Sequence, residues 1–286
     1  MEHQACAIAK DPVADATLCT TVPDCEAMVE LAKGRSAPVW VAMEYRYMPP
    51  VNLLVQSVME GKIGAMKMLS ITEHRFPFLE KVGDWNRFSK NSGGTLVEKC
   101  CHFFDLMRLI TKSEAKTVMA LAGQATNHMD EIYDGRVPDI DDHGYVIVEF
   151  ENGMKGMLEL CMFAEGSRYQ EEITVIGKSG KIEALVPGPG RFWQHDKEKS
   201  PTPKVVISPR KGKPVQSIDI PTNKKLLDAG DHNGATYFQH ENFLKIIRER
   251  SQPEVSLKDG YAAVQIAFAA QKSAATGKSV EMQHFF

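Results

Sequence analysis

The residues whose types and spacing could do chemistry lie in one short segment, where Glu98 precedes His102 by four positions. An apolar stripe predicts a helix over residues 95–110, so these two side chains share one face, and Asp105 follows one turn later. A carboxylate beside an imidazole suits proton transfer, because imidazole titrates near neutrality and the acid can fix its tautomer and raise its pKa. The same spacing also fits an ordinary surface Glu–His pair on a half-buried helix.

Composition limits the class of protein. The chain has 286 residues, a net charge of -3 and 43% hydrophobic residues, as expected for a soluble globular protein of one or two domains. This charge gives no electrostatic reason to bind nucleic acid or an anionic membrane. No apolar run approaches the about 20 residues of a membrane helix, and the first residues do not resemble a signal peptide. Six cysteines without a CxxC pair predict reduced thiols, no metal site and a cytoplasmic location.

The first part of the chain predicts one helix–strand unit of a parallel sheet. Thr21 marks a helix start and Gly34 its end, and the apolar run 39–43 is typical of a strand covered on both faces. Residues 1–17 show no periodicity and are assigned no structure.

The remainder predicts a different architecture. A helix begins at Pro49-Pro50, and a strand over 66–74 is followed by an irregular aromatic loop and by the helix of Glu98. Successive strands after residue 116, with a hairpin signal at Asn152-Gly153, and two closing helices predict an open, mostly antiparallel sheet with helices on one face.

These features resemble the glucose–fructose oxidoreductase / inositol dehydrogenase / MocA family of NAD(P)-dependent dehydrogenases. The second domain of that family opens on a Gly-Gly helix with an acid, a His four residues later and an Asp three after that. Glu98, His102 and Asp105 have this spacing after Gly93-Gly94. The other similar segments are Tyr45-Arg46-Tyr47 with Pro49, Asp84-Trp85, residues 173–180 and residues 273–278.

The resemblance implies an organisation. Residues 18–48 would be the last helix–strand unit of a Rossmann domain, and residues 49–286 would form the domain that holds a sugar or polyol and makes homo-oligomers. Residues 1–17 stay unplaced. The expected fold is therefore α+β, an open, mostly antiparallel sheet with helices on one face, preceded by a remnant of a Rossmann α/β domain.

The resemblance also implies roles for residues. His102 would take the hydroxyl proton while hydride passes from the carbinol carbon to the nicotinamide of NAD or NADP. Glu98 would orient His102 or bind a substrate hydroxyl. Asp105 is expected to be structural and paired with Arg108. The candidates for contacts with the substrate are Arg46, Trp85, Tyr237 and His240.

Two departures from the family pattern oppose an active dehydrogenase. No GxGxxG occurs, and too few residues precede Leu18 to hold the βαβ units around such a turn. The sequence therefore shows no binding site for a pyrophosphate. The lysine of the family's Glu-Lys-Pro is Ala16 here. Lys10 lies too early to replace it, and a helix turns Lys99 about 100° away from Glu98.

These departures leave two functions open. The chain is either a sugar or polyol dehydrogenase by descent, or a truncated or divergent non-catalytic member that keeps only the substrate and oligomerisation domain. We expect NAD or NADP to bind weakly or not at all. The sequence names neither the substrate nor the preferred nicotinamide.

Overall fold

A computed structural model of the chain describes residues 13–14, 17–192, 200–229 and 232–283. The helices are α1 (Val22–Leu31), α2 (Pro49–Met59), α3 (Ser89–Ser92), α4 (Thr95–Glu98), α5 (Cys101–Thr111), α6 (Lys224–Ala229), α7 (Ala235–Glu249) and α8 (Leu257–Thr276). The strands are β1 (Val13–Ala14), β2 (Trp40–Val41), β3 (Met66–His74), β4 (Ala115–Gly123), β5 (His143–Phe150), β6 (Lys155–Cys161), β7 (Glu171–Gly177), β8 (Gly180–Val186), β9 (Lys204–Pro209), β10 (Gln216–Asp219) and β11 (Val280–Glu281).

A nine-stranded sheet forms most of the fold, in the order β10-β9-β8-β7-β3-β6-β5-β4-β11. Every neighbouring pair is antiparallel except β3 and β6, which run parallel. The Asn152-Gly153 turn joins β5 to β6, and Gly153 takes the positive φ of 81° that favours glycine there. The predicted open, mostly antiparallel sheet is confirmed.

Helices cover one face of this sheet, as predicted. The hydroxyl of Ser273 in α8 accepts a hydrogen bond from the Ala120 N–H of β4, at 2.9 Å. Helix α5 approaches β6 so closely that a Cβ on Gly156 would lie 3.2 Å from the sulfur of Met107. The absence of a side chain at Gly156 therefore allows the helix that carries His102 to approach the sheet closely.

Local capping explains where two of the helices begin. The Thr21 hydroxyl accepts the Asp24 N–H at 3.2 Å and starts α1. The Ser256 hydroxyl accepts the Asp259 N–H at 3.3 Å, and the Asp259 carboxylate accepts the Ser256 N–H at 2.9 Å, which completes a capping box for α8. The Thr21 cap is as predicted.

A small parallel unit lies beside the large sheet. β1 and β2 run parallel, with Val13 opposite Trp40, and α1 connects them. The predicted helix–strand unit is therefore present. It also includes β1, a strand within residues 1–17, where the sequence predicts no element. Residues 1–12, 15 and 16 lie outside the described residues, and Lys10 and Ala16 with them.

This parallel unit packs on α8. A Cβ on Gly260 would lie 3.0 Å from a methyl group of Val41, and the Tyr261 hydroxyl donates to Glu26 at 3.0 Å. Within the described ranges, no helix is both long enough and apolar enough to cross a membrane.

Candidate active site

The helix of the predicted site is two helices, α4 and α5, so the single helix predicted over residues 95–110 is wrong. Lys99 and Cys100 form the joint between them. The Lys99 N–H donates to the Thr95 carbonyl four residues back, at 2.9 Å, and the Cys100 N–H donates to the same carbonyl five residues back, at 3.3 Å. The second bond has the wider π-type spacing and interrupts the α-helical ladder. The Lys99 side chain is buried, with 5% of the residue exposed, rather than turned away to solvent.

His102 lies in the first turn of α5 and is half-buried. Its imidazole stacks on the Tyr45 ring, with centroids 4.5 Å apart and an interplanar angle of 16°. Its Nδ1 atom is buried and has no hydrogen-bond partner among the described residues. Burial, and then the charges of Lys99 and Arg75, hold the pKa of His102 well below its ordinary value. The resting imidazole is therefore neutral at neutral pH and can accept a proton.

A buried ionic cluster of Glu73, Arg75, Lys99 and Glu171 lies next to Tyr45. The Lys99 ammonium donates a hydrogen bond to the Tyr45 hydroxyl and lies 3.0 Å from Glu73 Oε1. Arg75 Nη1 lies 3.9 Å from the same oxygen. Because Glu73 is fully buried, these two cations are what stabilises its charge.

Glu171 joins the cluster through the sheet, because β3 and β7 place it directly opposite Glu73. Burial, and then the Glu73 charge, raise the pKa of Glu171 to about 8. Gln170 Nε2 donates to Glu171 Oε1 at 2.6 Å. At neutral pH the Glu171 carboxyl group is thus protonated and uncharged. The cluster then contains two cations, Lys99 and Arg75, and one carboxylate, Glu73.

Arg46, a predicted contact with the substrate, already makes three hydrogen bonds. Its Nε and Nη2 atoms donate to the two carboxylate oxygens of Asp105, both at 2.5 Å, and Nη1 donates to the Glu254 carbonyl at 3.3 Å. These bonds fit a structural role. Asp105 is buried, as a structural residue would be, but its expected partner Arg108 instead bonds Glu114 at 2.8 Å.

Two other predicted contacts lie on α7. The Tyr237 hydroxyl donates to Glu241 at 2.8 Å, and His240 Nδ1 bonds the Thr236 carbonyl at 2.7 Å. In the part of the chain that the structure describes, neither side chain makes a hydrogen bond or ring contact with His102. Their roles in binding stay predictions.

Glu98 and Trp85 complete the predicted set. Glu98 is half-buried, and its carbonyl accepts the Thr17 hydroxyl at 3.0 Å, which ties the parallel unit to α4. Trp85 is 37% exposed and lies in the short 3-10 segment Val82–Arg87. The structure brings Glu98 and His102 onto neighbouring turns, at the end of α4 and the start of α5.

Sequence reasoning missed the buried ionic cluster, although a signal for it was available. Leu69, Ile71 and Glu73 alternate on the buried face of β3, so a carboxylate occupies an apolar register. Glu171 does the same on β7, before Ile173. A charged residue in the apolar register of a strand indicates a buried ionic partner elsewhere in the chain.

The described residues do not by themselves fit a dinucleotide. A pyrophosphate is bound by backbone N–H groups of a glycine-rich turn at a helix N-terminus. The helix of the parallel unit, α1, instead begins with Thr21 as its cap, Pro23 without an N–H, and the carboxylate of Asp24, which would repel an anion. No group of His, Cys, Asp and Glu in the described ranges is arranged to hold a metal ion.

Comparison with known proteins identifies the class of protein that this fold and site define. Residues 55–282 match the family model described as "Oxidoreductase family, C-terminal alpha/beta domain" of the Gfo/Idh/MocA proteins. The chain belongs to this family of NAD(P)-dependent oxidoreductases.

The similarity to individual relatives extends beyond this domain and covers nearly the whole chain. Myo-inositol 2-dehydrogenase of Thermotoga maritima is 25% identical over 98% of this chain and 75% of its own length. The structure of a probable dehydrogenase from the same organism aligns with a TM-score of 0.72 and 24% identity, over 97% of this chain and 74% of that one. Levoglucosan dehydrogenase in complex with NADH aligns with a TM-score of 0.75 and 20% identity, over 96% and 74%. The chain thus spans about three quarters of these proteins.

The raised pKa of Glu171 predicts a pH dependence of stability. The unfolded chain releases this proton near the ordinary value of 4.5 and the folded chain near 8, so the folded state binds more protons between these values. The contribution of Glu171 to the free energy of unfolding therefore falls as pH rises from about 4.5 to 8. Glu171→Gln should gain stability over the wild type across this range, by at most about 1.4 kcal/mol per pH unit.

Urea denaturation at several pH values measures this difference. Glu172→Gln is the matched control, because Glu172 is the exposed neighbour on the same strand and should show no such trend. A constant difference between Glu171→Gln and the wild type from pH 5 to 8 would mean that Glu171 is ionised in the folded state.

Proposed function

We propose that this chain binds a sugar or polyol and accepts the proton of its hydroxyl group in the NAD(P)-dependent oxidation of a CH–OH group. The observation that carries the proposal is the position of His102, a half-buried imidazole stacked on Tyr45 beside two buried cations that hold its pKa low. Family membership supplies the class of reaction. The names of two relatives, an inositol dehydrogenase and a levoglucosan dehydrogenase, support a polyol or sugar as the substrate.

His102 is the proton acceptor in this proposal. A neutral ring nitrogen takes the hydroxyl proton as the carbinol carbon is oxidised, and positioned bases of this kind contribute roughly 10²–10⁴-fold in rate. Glu98 orients the imidazole or binds a second hydroxyl. Arg46 positions α5 through Asp105, while the proposed substrate contacts are Trp85, Tyr237 and His240.

The proposed cofactor is NAD or NADP, on family grounds. Levoglucosan dehydrogenase, a structural neighbour, is described in complex with NADH. The described residues do not fit a dinucleotide on their own.

Weak binding of the cofactor by this chain is the expected outcome. Calorimetric titration with NADH and with NADPH should give dissociation constants weaker than about 100 μM, or about −5.5 kcal/mol. Circular dichroism of the same sample checks that the sheet is folded. Tighter binding would contradict the argument from the N-terminus of α1.

A second candidate function is a non-catalytic member that binds its ligand and assembles. Two observations favour it: the helix start of α1 does not suit a pyrophosphate, and Ala16 stands where the family carries a lysine. Turnover separates the two functions, because only the dehydrogenase reduces a nicotinamide.

Substitution of His102 tests the proposed function. With millimolar NAD or NADP and a panel of polyols that includes myo-inositol and levoglucosan, His102→Gln should lower the rate of NAD(P)H formation by roughly 10²–10⁴-fold. Affinity for the polyol should change much less, since Gln keeps a hydrogen-bonding group near the position of Nε2. His143→Gln, at a half-exposed histidine of β5, is the control.

Two outcomes would decide against this assignment. Unchanged turnover in His102→Gln would remove His102 as the base. Absence of turnover in the wild type, with polyol binding that still depends on His102, would favour the non-catalytic member.

We also propose that the uncovered face of the sheet binds a second copy of the chain in the cytoplasm. On β4 and β5, Met119 lies opposite Ile147 and Leu121 opposite Tyr145, and all four side chains are about half exposed. Met157 extends the row onto β6. A contiguous exposed apolar row of this kind is typical of an interface, and symmetry lets the same face meet itself.

A charge on this row should therefore separate the copies. Ile147→Lys should shift the sedimentation coefficient from that of an oligomer to that of a monomer. Ile132→Lys is the control, because Ile132 is equally apolar, 70% exposed, and lies outside the sheet. A wild-type chain that sediments as a monomer at every concentration would contradict this interface.

A further inference from the structure

Lys99 is a buried ammonium ion, and a buried ion pair is by itself weak evidence for a purely stabilising role. Lysine is almost never fully buried unless it is paired. A buried ion pair recovers its desolvation penalty only in good geometry, and apolar side chains of similar volume often stabilise a protein as well or better. A lysine retained in such a place, one turn from a candidate base, indicates a role in the chemistry of the site.

The contacts of Lys99 lead to His102 through one side chain. The ammonium donates to the Tyr45 hydroxyl, and this hydroxyl donates in turn to Glu73 Oε1 at 3.4 Å. The ammonium also lies 4.5 Å from the centroid of the Tyr45 ring, a cation–π distance. The same ring carries the stacked imidazole of His102, and Phe103 meets it edge-on at 5.4 Å.

We propose that Lys99 is a positioning residue for His102: through its hydrogen bond to Tyr45 it fixes the ring on which the imidazole stacks, and it places a positive charge against that ring. The same charge opposes protonation of the imidazole. The catalytic meaning of this inference rests on the proposed function. Its physical content, the orientation and ionisation of His102, does not depend on turnover.

The other charged groups around His102 and Tyr45 determine how strongly the Lys99 charge affects the protonation of His102. These groups are Glu44, Glu73, Arg75, Glu98, Glu171 and His232. Glu73 is shared by Lys99 and Arg75, and Glu171 is neutral at neutral pH, so one positive charge remains uncompensated within the cluster. Removing the Lys99 ammonium leaves Arg75 to balance Glu73, and the repulsion that disfavours a protonated His102 falls.

Histidine titration by NMR tests this directly in the full chain. The chain has nine histidines, and the signal of His102 is identified by its loss in His102→Gln. In the wild type its midpoint should lie well below the ordinary value for a histidine. In Lys99→Met the midpoint should move measurably upward, because the Lys99 charge is one of the causes of the low pKa of His102.

Two further variants keep the inference falsifiable. Lys99→Arg retains the charge and should keep the wild-type titration, while Lys155→Met removes an exposed lysine of β6 and should leave His102 unchanged. If Lys99→Met does not fold, Lys99→Gln gives the same neutral test with a hydrogen-bonding side chain. A wild-type titration of His102 in a folded, neutral Lys99 variant would overturn the inference.

The two proposals fail separately. A shifted His102 in a chain that turns over no polyol would leave the role of Lys99 standing and remove the dehydrogenase function. Polyol turnover that depends on His102, without any shift in Lys99→Met, would do the reverse.

Discussion

The structure around His102 depends on the burial of one ammonium ion. Desolvation of an ion costs several kcal/mol, so the buried Lys99 ammonium needs polar partners that offset this cost. β3 supplies Glu73, the 3-10 segment Glu44–Tyr47 supplies Tyr45, and the joint between α4 and α5 supplies the lysine. Three distant parts of the chain therefore meet at one point. The imidazole of His102 stacks on the Tyr45 ring at this point.

The sheet and most helices could be predicted because their signals are local. The Asn152-Gly153 turn, the Ser256 capping box and the alternation along β5 each depend on a few neighbouring residues. The break at Lys99-Cys100 has no such signal, since neither glycine nor proline marks it and apolar residues at helical spacing flank it. Lys99 pairs with Glu73 at this break, a tertiary contact that the local sequence does not display.

The candidate site was predictable in part for the same reason. Glu98 and His102 are close in sequence, so their shared position on successive turns follows from helix geometry. The Arg46–Asp105 ion pair joins residues 59 apart, and the Glu73–Glu171 pair depends on the register of β3 and β7. Such contacts are set by strand pairing and burial, which one sequence does not display. The outcome is a candidate site around His102 with a buried ionic cluster beside it, in a chain whose described residues do not suit a dinucleotide.

The central claim is that His102 is the group that meets the substrate hydroxyl. The most direct measurement is a crystal structure of the chain with the polyol that binds it most tightly by calorimetry. Our account predicts a carbinol oxygen within about 3.2 Å of a ring nitrogen of His102, with the imidazole still stacked on Tyr45. A polyol bound elsewhere, or bound here with no hydroxyl in reach of His102, would contradict it.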